Sequence, residues 1–157
     1  MVLFNQAMLG RQAWRFLTDP TSLCAKVLKG RYFPNCEFWE APKPRSSSFT
    51  WRSILFGKEL VVSGARWGIG NGQRANLLRD NWIPGVLPHQ VVTSMPVPED
   101  TKVQFLVNAE HGGWDAEMVH AVFDEITASA ILKIPLSRFE REDFISWPFN
   151  MFGQYTV

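Results

Sequence analysis

The sequence predicts a mainly α chain with short β-hairpins, an α+β fold, and three observations carry that expectation. Apolar residues recur at helical spacing in several separate stretches. The glycine-rich run over 68–72 and the Asn150–Gly153 stretch break that period. Prolines gather between the helical halves, with Pro84, Pro88, Pro96 and Pro98 in one short span. The expected layout is a helical N-terminal half, a hairpin near 66–79, and a second small helical unit ending in a truncated C-terminal hairpin.

Leu3, Ala7, Trp14 and Leu17, with Phe4 and Met8 beside them, mark an amphipathic helix from Leu3 to Thr18. Asp19-Pro20 ends it and opens the next helix, with Asp19 as cap and Pro20 in the first turn. That second helix runs through Leu23, Val27 and Leu28 and frays at Gly30. Residues 34–48 contain Pro34, Pro42, Pro44 and three serines, and read as a loop. A third helix starts at about Phe49, passes through Trp51, Ile54 and Leu55, and stops at Ser63-Gly64.

Asn71-Gly72 then suits a tight type I′ turn, because both residues tolerate positive φ. Arg66–Ile69 and Gln73–Arg79 would be its strands, and residues 80–84 close the unit. The proline-rich residues 85–100 read as an extended linker. Val103, Leu106 and Val107 fit a short helix. Another follows Trp114, capped by Asp115, with Met118, Val119, Val122 and Phe123 as its apolar face. A further helix spans about Glu125 to Ile134. Phe144–Phe149 and Gln154–Val157 read as two strands, the second with an unpaired outer edge.

The domain expectation is therefore a basic helical unit over 1–84, a linker over 85–100, an acidic helical unit over 101–142, and an opening segment of something further over 143–157. Forty-six per cent apolar residues, seven Trp and twelve Phe exclude a wholly disordered chain. No stretch reaches the length of a membrane span, so no membrane partner is expected. The early apolar residues are interrupted by Asn5, Gln6, Arg11 and Gln12, unlike a secretory signal. Cys24 and Cys36 are then expected as reduced thiols in an intracellular setting. Residues 1–18 hold Arg11 and Arg15 and no acid, a composition shared with organelle-targeting peptides.

The net charge of +1 hides a division. Residues 1–79 hold twelve Lys and Arg against four Asp and Glu, a net of +8, and residues 80–157 hold four against eleven, a net of −7. A basic half attracts phosphate backbones by releasing counterions, and an acidic half repels them. The two halves could equally attract each other within the fold.

The motifs of common chemistry are missing. The cysteines have eleven residues between them and His89, His111 and His120 show no paired spacing, which gives no metal site. There is no Gly-x-Ser-x-Gly, and the run from Gly68 to Gly72 lacks the Gly-Lys-Ser/Thr of a phosphate loop. No cofactor is implied. Asp115 with Glu117, Asp124 with Glu125, and Glu140 with Glu142 and Asp143 could in principle hold divalent metal, but helix caps and solvated loops explain each more simply.

Basic residues interleaved with aromatics are the positive signal. Arg11, Arg15, Lys26, Lys29, Arg31, Arg52, Lys58, Arg66, Arg74 and Arg79 are the candidate nucleic-acid contacts, through phosphates. Trp14 and Trp51 are expected in the core rather than at bases.

Several runs taken together resemble one family. They include Phe4-Asn5-Gln6-Ala7-Met8-Leu9, Arg11-Gln12-Ala13-Trp14-Arg15, Tyr32-Phe33-Pro34, and Thr50-Trp51-Arg52-Ser53-Ile54. Arg66-Trp67 with Ile69-Gly70-Asn71-Gly72, Asp80-Asn81-Trp82-Ile83-Pro84, Ile134-Pro135-Leu136-Ser137 and Gly153-Gln154-Tyr155-Thr156-Val157 continue the order. The family is the region after the polymerase in plant LINE-type (non-LTR) retrotransposon reverse transcriptases, and the chain is also similar to retroelement-derived open reading frames of plant mitochondria. The resemblance implies that the polymerase site lies upstream, that a zinc-binding-like region begins within 143–157, and that any ribonuclease H domain lies further downstream. Pro148 departs from the family pattern and would interrupt its strand.

The resulting expectation is a non-catalytic fragment of a reverse-transcriptase polyprotein. Its partners would be RNA or DNA, met by the basic half, and the remainder of the polyprotein. The alternative is a structural or protein-interaction remnant of a decayed retroelement.

Overall fold

The structure, a computed structural model, describes residues 2–108, 110–136 and 141–157. It is mainly helical with one small antiparallel sheet, the α+β class that the sequence pattern predicts. The chain divides into two compact units: residues 1–65 with 147–157, and residues 66–146.

The first unit holds α1 (Val2–Thr18), α2 (Leu23–Tyr32) and α3 (Phe49–Gly64), with a 3-10 turn at Phe38–Glu40. The cap of α2 is Ser22, not Asp19: the Ser22 Oγ accepts from the Ala25 amide at 3.4 Å. Asp19 instead accepts from the Thr21 hydroxyl, so Pro20 and Thr21 form a turn before the helix begins. Ser48 caps α3 by accepting from the Trp51 amide at 3.2 Å. Helices α1 and α3 pack closely because Gly57 has no side chain; a Cβ there would run into the Leu9 carbonyl. Gln6 ties the pair further by donating to the Phe56 carbonyl at 2.9 Å.

Trp51 is fully buried, stacked on Phe33 with centroids 5.4 Å apart and on Tyr32 at 4.8 Å, with Phe38 edge-on. Trp14 is also in the core, as its helical position predicts. It packs against Trp147 and Tyr155, and the Tyr155 hydroxyl donates to the Ala7 carbonyl at 2.9 Å. The expected strand at 154–157 is absent. A turn closes where the Trp147 amide reaches the Gly153 carbonyl, and the last residues serve α1 as an aromatic clasp.

The second unit holds β1 (Arg66–Gly68), α4 (Ala116–Val122), α5 (Glu125–Leu132) and β2 (Phe144–Ser146) around a core of Trp67, Leu77, Trp82, Leu106, Val119, Phe123 and Ile131. Asp115 caps α4 as expected, accepting from the Met118 amide. The hairpin expected near 66–79 does not form. β1 pairs instead with β2, in the register Arg66↔Ser146, Trp67↔Ile145 and Gly68↔Phe144. Gly72 does take the positive φ its turn requires, at 73°. The segment after it runs beside residues 101–104, through Leu77 to Thr101, Val103 to Ala75 and Gln104 to Gly72.

The physical reason is a single carboxylate. Asp143 is 1% exposed, and its two oxygens accept from the amides of Gly70, Gly72, Arg74 and Ala75 at 2.8 to 3.0 Å. Gly70 and Gly72 lie in the expected turn and Arg74 and Ala75 open its second arm, so the carboxylate wraps this stretch around itself instead of leaving it to a two-strand ladder. The span 85–100, expected as a linker, lies inside this unit. It makes a 3-10 turn at Pro88–Gln90, and a bridge between Thr93 and Phe123, with the Ser94 amide donating to the Val122 carbonyl, joins it to the end of α4.

Candidate nucleic-acid interface

The first unit carries nine Lys and Arg against four Asp and Glu, a net of +5, and the second carries seven against eleven, a net of −4. The charge division seen along the sequence is therefore also a division between folded units.

Arg11 and Arg15 are exposed one turn apart on α1, so both guanidinium groups leave the same face. Lys26 and Arg31 are exposed on α2, and Arg31 lies over the Tyr32 ring at 5.4 Å. Arg52 is exposed on α3. Lys29 is half-buried and its Nζ stands 3.5 Å from Glu37. Lys58 faces inward: its Nζ donates to the Ala41 carbonyl at 3.1 Å and lies 5.4 Å from the Phe38 ring. Burial pulls its pKa down to about 8, opposed by the charges of Cys36 and Glu40. Its amine is thus turned into the unit rather than presented to a phosphate.

The three remaining candidates belong to the second unit. Arg74 lies over Trp67 at 5.5 Å and 3.8 Å from Glu142, and Arg79 pairs with Glu99. These pairs neutralise two of the three locally, though exposed pairs of this kind hold weakly. Arg66 is half-buried on β1 and lines a groove.

That groove, about 980 Å³, runs between β1, β2 and α5. Arg66, Lys133 and Arg141 lie along it with one acid, Glu125, among the described lining residues. Trp67, Trp82, Ile126, Ala130, Pro135 and Phe144 supply its apolar surface. The Arg141 guanidinium sits 4.3 Å over the Phe144 ring. Trp114 stacks on Trp82 at 5.9 Å and donates to the Ile134 carbonyl at 2.8 Å, which fixes the end of the segment after α5. Sequence reasoning missed Lys133 and Arg141, because the end of α5 and the stretch just before β2 line one groove with Arg66 only in the folded unit.

The carboxylate pairs considered for metal are dispersed. Asp115 is a helix cap, Glu125 faces His120 Nδ1 at 3.3 Å, Glu142 faces Arg74, and Asp143 is consumed by four amides. Glu140 lies outside the described residues. Among the described residues no three His, Cys, Asp or Glu side chains gather as a metal site. Both cysteines are free thiols, Cys24 exposed and Cys36 half-buried. No described helix is long and apolar enough to cross a membrane.

No protein-family model matches the chain, and no solved structure matches it. Two curated relatives do, both from Arabidopsis thaliana. One, an "Uncharacterized mitochondrial protein", is 36% identical over 85 residues, which is 54% of this chain and 55% of the relative. The other, a "Putative ribonuclease H protein", is 30% identical over 159 residues, covering 98% of this chain and 26% of the relative. The chain thus spans about half the length of the first relative and about a quarter of the second. Two plant proteins, one mitochondrial and one named for ribonuclease H, are what this chain is similar to.

Proposed function

We propose that this chain is a retroelement-derived segment, corresponding to the region after the polymerase in a LINE-type reverse transcriptase, that helps hold nucleic acid without chemistry of its own. The relative named for ribonuclease H supports that origin, since it matches nearly the whole chain within a much longer protein. The zinc-binding-like region of such a protein would begin near residues 143–157.

The observation that carries nucleic-acid binding is the cationic first unit, with Arg11, Arg15, Lys26, Arg31 and Arg52 exposed on three successive helices. Long, flexible cations on a net-positive unit suit phosphate contacts that position a strand without reading its sequence. The test is binding of labelled RNA and DNA oligonucleotides across a salt series. Binding that weakens steeply with salt, and that drops at least tenfold in an Arg11→Ala, Arg15→Ala, Lys26→Ala variant, is the expected result. Absence of binding at low salt overturns the reading.

A second reading, a protein-interaction remnant, is favoured by one observation. Leu3, Phe4, Leu23, Val27, Met151 and Phe152 of the first unit are all more than 60% exposed. Apolar area of this kind marks surfaces that meet other protein. Concentration-dependent self-association in sedimentation, with no oligonucleotide binding, would select this reading over the first.

A further inference from the structure

We infer that the groove of the second unit is a binding site for unpaired nucleic acid, separate from the cationic helices of the first unit. The inference rests on the nucleic-acid reading above and adds a second contact site to it.

Three observations support it. Arg66, Lys133 and Arg141 line one concavity in a unit whose net charge is −4, so local clustering, not overall composition, puts them there. No ion pair among the described residues joins any of the three to an acid, and the groove's Glu125 already faces His120. The Arg141 guanidinium carbon stands 4.3 Å from the Phe144 ring centroid, a cation–π contact that keeps its charge at the groove wall, where a phosphate can meet it. Beside it Ile126, 78% exposed, and the partly exposed Phe144 offer apolar area of the kind on which bases rest.

The shape selects a single strand. The volume of about 980 Å³ has room for a short run of splayed nucleotides, whereas a rigid duplex exposes its phosphates but keeps its bases stacked inside. A peptide added as a third strand is the competing occupant. On the outer side of β1 that route is already taken, because the Trp67 amide donates to the Asn81 carbonyl at 2.7 Å. The charge complement favours phosphates with bases over an apolar peptide.

The experiment is fluorescence anisotropy of a labelled oligouridine and a labelled duplex RNA with the full chain. A Lys133→Glu, Arg141→Glu variant and an Ile126→Asp variant are compared with wild type, all checked for unchanged circular dichroism and melting. Ile126 is so exposed that its change leaves folding intact. The expected result is at least a tenfold loss of oligouridine affinity for the double variant, several-fold for Ile126→Asp, and little change for duplex. The salt slope of the double variant should fall by about 1.4, from two lost single-strand phosphate contacts. Cross-links from 4-thiouridine should map to the α5–β2 region. Wild-type oligouridine affinity in both folded variants overturns the groove site while leaving the first unit's role standing. No oligouridine binding by wild type overturns both. An acidic, leucine-containing peptide that binds wild type but not the groove variants, with oligouridine binding unchanged, overturns it in favour of a protein partner.

Discussion

Asp143 shows how much one side chain can decide. Four amides converge on its carboxylate from a loop some seventy residues earlier, and a buried charge is tolerated there only because each lone-pair direction meets a donor. Asp143→Asn keeps the size but turns an NH2 group toward two of those amides. It should cost about 3 kcal/mol of stability, read by urea denaturation with tryptophan fluorescence. A cost under about 0.5 kcal/mol would mean the carboxylate is not what holds the loop. Lys58 makes an opposite case, a charge the fold tolerates poorly. Its pKa is about 8 in the folded chain against an ordinary 10.5, so between those values the unfolded chain binds the extra proton. Stability from this group therefore rises as pH increases from about 8 to about 10.5. The comparison is denaturation of wild type against Lys58→Met across that range. The difference between the two curves should close in favour of wild type as pH rises, and parallel curves would contradict the shift.

Among the elements, the α1–α3 pair and its clasp carry the first unit. Gly57→Ala places a methyl group against the Leu9 backbone, which cannot yield as a flexible side chain would. The helices must separate, at about 2 kcal/mol or more, and a thermal melt should show it. Tyr155→Phe removes the bond to the Ala7 carbonyl and keeps the ring contact with Trp14. A loss of about 1 kcal/mol is expected, with faster hydrogen exchange in the first turns of α1. All five described α-helices could be read in the sequence, because apolar spacing and the Asp115 cap are local signals. The cap of α2 was misplaced by three residues, since Asp19 and Ser22 are both good caps and only the turn through Pro20 decides between them. The strands fared worse. A strand of three residues has no period of its own, and the Asn71-Gly72 pair specifies a turn without naming the partner of either arm.

For the whole molecule, the decisive property is that opposite charge is sorted into separate folded units. Oligonucleotide affinity should then fall log-linearly with salt, and the slope should drop by about 0.7 for each phosphate-contacting cation removed from the first unit. Removing Arg79 or Arg74, each beside a carboxylate, should change it less. Equal effects at every basic position would show that the charge acts as a diffuse cloud. The candidate site was half legible: the exposed cations of α1 to α3 follow from helix phase, whereas the groove was invisible.

The sequence alone determined the helices, the buried Trp14 and Trp51, and the unequal charge of the two ends, because spacing and composition act over a few residues. Only the tertiary structure decided that β1 pairs with β2, that residues 147–157 close on α1, and that Arg66, Lys133 and Arg141 share a groove. Each of those depends on groups far apart in the chain satisfying one another's hydrogen bonds or apolar surface, and local pattern carries no record of which distant partner will arrive.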